Sequence, residues 1–245
     1  MDDSTHALLA GLAHELRTPL AAIGGHAELL RVGVHGPILP KQLESLERIR
    51  MNHLRMAAMI TELMEYAEAA RGTRRMFLEE AEVARLIEHA IGALSVSASE
   101  RNVTVSFGMP CDDDEAADAQ TSFCPVMVFA DKMALSEVLQ AILRDSVESH
   151  GGGHVTVRLS SVGDSAVVTI ETDEAPFAET ECEAVFVPFD REARGQRVNG
   201  QSALVLPRAR LLARAFGGDV RAVPTTDRRV IAIHLARMVE RTSGV

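Results

Sequence analysis

The sequence predicts an α + α/β protein: a helical hairpin that pairs with a second copy into a four-helix bundle, followed by an α/β sandwich. Three observations predict it. Charge is divided unevenly, since residues 1–75 hold nine acidic and nine basic side chains and residues 76–245 hold 26 and 16, so the whole formal charge of −10 lies in the second part. Periodicity changes at the same place, from long helical repeats to alternating strand and helix patterns. Finally, 245 residues, 47% of them hydrophobic and 24% charged, suffice for two folded domains. The expected domains are 1–75 and 76–245.

Composition also excludes several classes. A net charge of −10 argues against nucleic acid as a partner, because phosphate backbones are bound by concentrated Lys and Arg. No apolar run approaches the roughly 18 residues needed to span a bilayer, and the N-terminus lacks the basic and apolar regions of a signal peptide. A soluble, cytoplasmic chain is expected. Cys111, Cys124 and Cys182 are scattered without CxxC spacing, which excludes a disulfide framework and a zinc site.

The first helix is expected over about Ser4–Val32, with Leu9, Leu12, Leu16, Ile23, Ala27 and Leu30 on one face and Asp3 or Ser4 as its cap. Gly33, Gly36 and Pro37 break the chain, which restarts near Pro40. In the second helix, Leu46, Ile49, His53, Met56, Ile60, Leu63, Ala67 and Ala70 alternate steps of three and four. Two helices with so narrow a seam cannot enclose a core, whereas two hairpins can, so a homodimer is expected. His53 lies in that seam and is read as a core histidine.

Chemistry concentrates in His14-Glu15-Leu16-Arg17-Thr18-Pro19-Leu20. His14 and Thr18, four apart on a helix, share a face, with Glu15 beside them. An exposed imidazole next to a carboxylate suits nucleophilic attack: the carboxylate takes the Nδ1 proton while Nε2 attacks. Arg17 offers a cation to a phosphoryl group. Pro19 removes a backbone hydrogen bond and disturbs the helix near the site.

This heptapeptide closely resembles the H-box of the dimerisation and phosphoacceptor domain of sensor histidine kinases. The Gly36-Pro37-Ile38 turn and a long second helix ending in Glu65-Tyr66-Ala67 agree with it. The resemblance implies that His14 accepts the phosphoryl group, that Glu15 is the adjacent acid/base, and that Thr18 serves in removing phosphate from a partner.

In the second part, helices are expected around Glu82–Ser97, Met133–Ser149 and Pro207–Phe216. Strands are expected near Val103–Phe107, Val126–Phe129, His154–Leu159, Ala166–Glu171, Val220–Val223 and Val230–Leu235. The run Asp112-Asp113-Asp114-Glu115 reads as a solvated loop. This order resembles the ATP-binding domain of histidine kinases, an α/β sandwich with helices on a mixed sheet.

The resemblance implies a stripped nucleotide site. Ala130-Asp131 and Val138-Leu139 match the asparagine-bearing helix, but its magnesium-binding Asn is Asp145, an earlier Asn is Gln140, and a following basic residue is Glu148. Asp145 could still hold a hard cation; Glu148 would repel phosphate. The adenine loop DxGxG reads Asp173-Glu174-Ala175-Pro176-Phe177, so that Asp173 alone survives to accept the adenine amino group and the glycines are Ala175 and Phe177. Glycines there let the backbone turn and approach the nucleotide. Glu183–Phe189 matches the family's F-box, a packing element. The glycine-rich start of the last helix reads Gln201-Ser202-Ala203-Leu204-Val205, with Ala203 and Val205 at glycine positions that would cradle phosphate on helix N–H groups.

The leading expectation is a histidine phosphotransferase that moves phosphate between receiver-domain aspartates through His14. It needs no ATP, because an aspartyl phosphate is already activated and the receiver supplies magnesium. The chain itself is expected to bind no cofactor. Only 13 residues precede His14, so no sensing segment is expected. The alternatives are an ATP-dependent histidine kinase core with a divergent site, and a non-catalytic pseudokinase scaffold that binds receivers or a kinase.

Overall fold

A computed structural model describes residues 3–108, 125–149, 152–190 and 203–236. The chain divides into two compact units, Met1–Arg74 and Arg75–Val245.

The first unit is the expected hairpin, α1 (Asp3–Arg31) and α2 (Pro40–Arg71). The turn between them uses Gly33 and Gly36 at positive φ (76° and 116°), where an L side chain would be strained. At the start of α2, Pro40 occupies the first turn, and the Gln42 side chain accepts a hydrogen bond from the Leu39 N–H at 2.8 Å. Gly72, at φ 64°, closes its end.

The apolar faces divide differently from the single seam expected from spacing. Ala13, Leu20 and Ala27 of α1 and Leu46, Ile60 and Ala67 of α2 are buried within one hairpin. Leu12, Leu16, Ile23, Ile49 and Met56 stay 44–51% exposed. The reason is geometric: one neighbouring helix covers a strip one residue wide per heptad, and the rest of an i, i+3, i+4 stripe needs another surface. His53 is half-buried and lies against Gly24.

In the second unit a five-stranded sheet is built in the order β2 (Val103–Gly108), β4 (Gly153–Val162), β5 (Ser165–Thr172), β7 (Arg229–Ala236), β6 (Asp219–Val223). Only the β2–β4 pair is parallel. Helices α3 (Val83–Glu100), α4 (Lys132–Glu148) and α6 (Val205–Ala215) pack together against it and bury Ile87, Leu135, Leu139, Ile142 and Leu143. The two-layer α/β sandwich is thus the fold, as expected.

Two elements escaped the sequence reading: β1 (Glu79–Glu82), paired antiparallel with β3 (Met127–Ala130), and the four-residue helix α5 (Glu181–Ala184). Asp131 ties the segment before β1 to α4. Its carboxylate caps α4 by accepting from the Ala134 N–H and also accepts from the Phe77 N–H, both at 2.9 Å. Cys111, Cys124 and the acidic run Asp112–Glu115 lie outside the described residues.

Candidate functional site

The segment His14–Leu20 sits in the fourth and fifth turns of α1. Ala13 and Leu20 face inward and form a small core with Ile60 and the half-buried Met64. Their burial fixes the rotation of the helix, and the residues between them turn outward. His14, Glu15, Arg17 and Thr18 are all exposed, so one solvent-facing turn brings together the four residues singled out from the sequence. The Thr18 hydroxyl donates to the His14 carbonyl at 3.5 Å, the usual back-bond of a helical threonine. Pro19 lies inside the helix and has no N–H to give the Glu15 carbonyl. An exposed imidazole flanked by a carboxylate, a guanidinium and a hydroxyl can attack a phosphorus centre presented from solution.

The cleft of the second unit lies between α4, the ends of β5 and β7, and the start of α6. Asp145, Thr172, Glu174, Phe177, Leu206 and Arg229 line it. Asp145 is therefore where the resemblance puts it. Asp173 is not, and here the structure corrects the expectation. Thr172, the last residue of β5, and Glu174 in the bend that follows line the cleft, while Asp173 is exposed and accepts a hydrogen bond from the His154 N–H at 2.8 Å.

Arg229 lines the cleft. Its guanidinium stacks 4.5 Å from the centre of the Phe177 ring, its Nε donates to the Ala175 carbonyl at 3.0 Å, and its Nη1 pairs with Glu174 at 3.0 Å. Phe177 is 4% exposed. The space left is about 20 Å³, close to the room one water occupies and far below the roughly 300 Å³ of a small-molecule pocket. A nucleotide with its magnesium ion does not fit these residues as they stand.

Charge plays a smaller part than the sequence suggested. Glu174 is ion-paired, and the exposed Glu148 does not line the cleft. At the start of α6, Val205 is already helical, Leu204 is buried, and Leu206 points into the cleft where glycines would leave backbone N–H groups open. Ala203 is half-buried in the preceding turn; Gln201 and Ser202 lie outside the described residues. Gln140 donates to Ser136 within its own helix at 3.1 Å.

The F-box segment does pack, though not throughout. Val185 is fully buried and Arg210 stacks on Phe186 at 4.4 Å, but Phe189 is 56% exposed. Arg229 and Thr172 were missed by sequence reasoning. Their only signal is the cross-strand register that sets them opposite each other, which a single strand pattern does not reveal.

Both units have known relatives. Residues 5–72 match the His Kinase A (phospho-acceptor) domain, and residues 130–237 match the histidine kinase-, DNA gyrase B- and HSP90-like ATPase family. Sensor histidine kinase GlrK of Escherichia coli is 26% identical over 94% of this chain and 46% of its own length. Histidine protein kinase DivJ of Caulobacter vibrioides is 22% identical over 86% of this chain and 34% of its own. The chain thus spans less than half the length of these relatives. Among solved structures, full-length ShkA in complex with AMPPNP has a TM-score of 0.69 at 17% identity, over 95% of this chain and 46% of that one. Histidine kinase ThkA in complex with response regulator protein TrrA has a TM-score of 0.64 at 19% identity, over 96% and 62%. These likenesses show the fold.

Proposed function

We propose that this chain, which carries the phospho-acceptor and ATPase-like domains of a two-component histidine kinase core and belongs to that family, exchanges phosphoryl groups with receiver domains through His14 without using ATP. In this reading His14 Nε2 attacks the phosphorus of a receiver's aspartyl phosphate. The N–P bond forms, the P–O bond breaks, and the aspartate carboxylate leaves. Glu15 holds the Nδ1 proton, Arg17 offsets charge on the phosphoryl oxygens, and Thr18 directs water when the phosphate is hydrolysed instead. The reverse step delivers the group to a second receiver aspartate. The observation that carries the ATP-independent part is the cleft occupied by Arg229.

The comparisons favour a second reading, an ATP-dependent histidine kinase core, since both family models match and the relatives named above are kinases. One experiment separates the two. The full chain and its His14→Ala variant are incubated with radiolabelled ATP, and separately with a radiolabelled phospho-receiver. Label passing from the receiver to wild type alone supports phosphotransfer; label from ATP on His14 establishes the kinase and overturns the first reading.

A further inference from the structure

The residues around Arg229 form a closed set. Arg229 begins β7 directly across the sheet ladder from Thr172, the last residue of β5. All its partners, Glu174, Ala175 and Phe177, come from the five-residue segment that follows, and this is the stretch where the resemblance expects two glycines. One departure from that pattern, Phe177, contacts the guanidinium with its side chain. The Phe177 ring supplies a stacking face, and it is anchored in turn by a backbone bridge to Pro224. Glu174 supplies the counter-charge, and the pair is largely sheltered, with side chains 16% and 19% exposed. The Ala175 carbonyl accepts a hydrogen bond from Nε.

Behind this cluster the cleft keeps features of a binding site. The buried Thr172 hydroxyl has no hydrogen-bond partner and lines the cavity, as do Asp145 and the apolar Ile142, Ile170 and Ile231. A planar, delocalised cation sandwiched on an aromatic ring in such a slot takes the place of a flat heterocycle.

We infer that Arg229 is an internal plug: its guanidinium occupies the space a purine ring needs, and removing it opens the cleft to an adenine nucleoside. The inference rests on the ATP-independent reading and gives it a cause in one side chain rather than in the lost glycines. With Arg229 gone, Phe177 becomes a stacking face for the base, while Thr172 and residue 174 offer it polar groups. The lost phosphate cradle at α6 plays no part in this, so the nucleoside alone is the right probe.

The test is calorimetric titration of the full chain with adenosine, and with Mg-ADP, for three proteins. These are wild type, Arg229→Ala/Glu174→Gln (which avoids an unpaired carboxylate) and Arg229→Met, which keeps the bulk. The plug requires at least a tenfold gain in adenosine affinity for the double variant and no gain for wild type or Arg229→Met. Thermal melts establish that each variant is folded, and Arg229→Ser, which shortens the side chain and leaves Phe177 in place, is the substitute if the double variant is not, with the same tenfold gain required. Folded variants that bind no adenosine overturn the plug and leave the phosphotransfer reading standing. Saturable Mg-ADP binding by wild type overturns both.

Discussion

His14 owes its exposure to its neighbours. Ala13 and Leu20 are 3% and 6% exposed, and on a helix that fixes the direction of every residue between them. Because Glu15 is exposed, its replacement should affect chemistry more than packing. Glu15→Ala is expected to slow transfer from a phospho-receiver to His14 by about 10²–10⁴-fold, the range for a general acid/base, with an unchanged melting temperature. Loss of stability alongside rate would instead mark Glu15 as structural. Gly24 is the opposite case. A Cβ there would lie 2.6–2.9 Å from the His53 ring, so the imidazole must move or the helices must part. Gly24→Ala should cost about 1–3 kcal/mol in urea unfolding, the range for overpacking, and most of that should disappear when His53→Ala is added. Equal costs in the two backgrounds would show that the contact does not matter.

Among elements, the α6–β6 junction carries the clearest electrostatic design. Asp219 accepts hydrogen bonds from Arg214 at 2.9 Å, Arg221 at 3.1 Å and Arg210 at 3.2 Å. Burial alone would raise its pKa, but the Arg214 and Arg221 hydrogen bonds and the nearby Arg210 outweigh it and hold the carboxyl at about 2. The folded value lies below the ordinary one, so the unfolded chain binds this proton more readily. The stabilisation is complete above about pH 4 and is lost as pH falls towards 2. Asp219→Asn should lower stability at pH 7 by about 1–3 kcal/mol, and the gap from wild type should close across that acid window. A gap independent of pH would place the effect in packing. Short elements were hard to read for a related reason. In β1, Glu-Glu-Ala-Glu offers one small apolar residue, Ala81, and its strand character comes from pairing with β3.

At the scale of the whole molecule, each hairpin is left with apolar surface that its own two helices do not cover. Leu12, Leu16, Ile23, Ile49 and Met56 are about half exposed in a single chain, and the phospho-acceptor domain implies dimerisation. Replacing Ile23 and Met56 together by Glu should convert the protein to monomers in sedimentation velocity while each hairpin keeps its helical signal. A dimer that persists would assign the interface to other residues. The acidic second unit also reads differently once folded. Among the described residues its carboxylates include exposed ones such as Glu148 and arginine-paired ones such as Glu174 and Asp219, so the charge of Glu174 at the cleft is offset by its partner.

The sequence by itself determined the phosphoacceptor turn, the two-part organisation and the order of the long elements. These depend on spacing along a few helical turns or on strand alternation, which are local properties of the chain. Tertiary structure alone decided that Asp173 meets the His154 N–H and that Arg229 meets Ala175 beside the cleft. The second contact joins residues 54 apart along the chain, and its existence depends on the register in which β5 and β7 pair. No local pattern encodes that register, because it is set by which strand faces bury against the helices and is shared by the whole sheet.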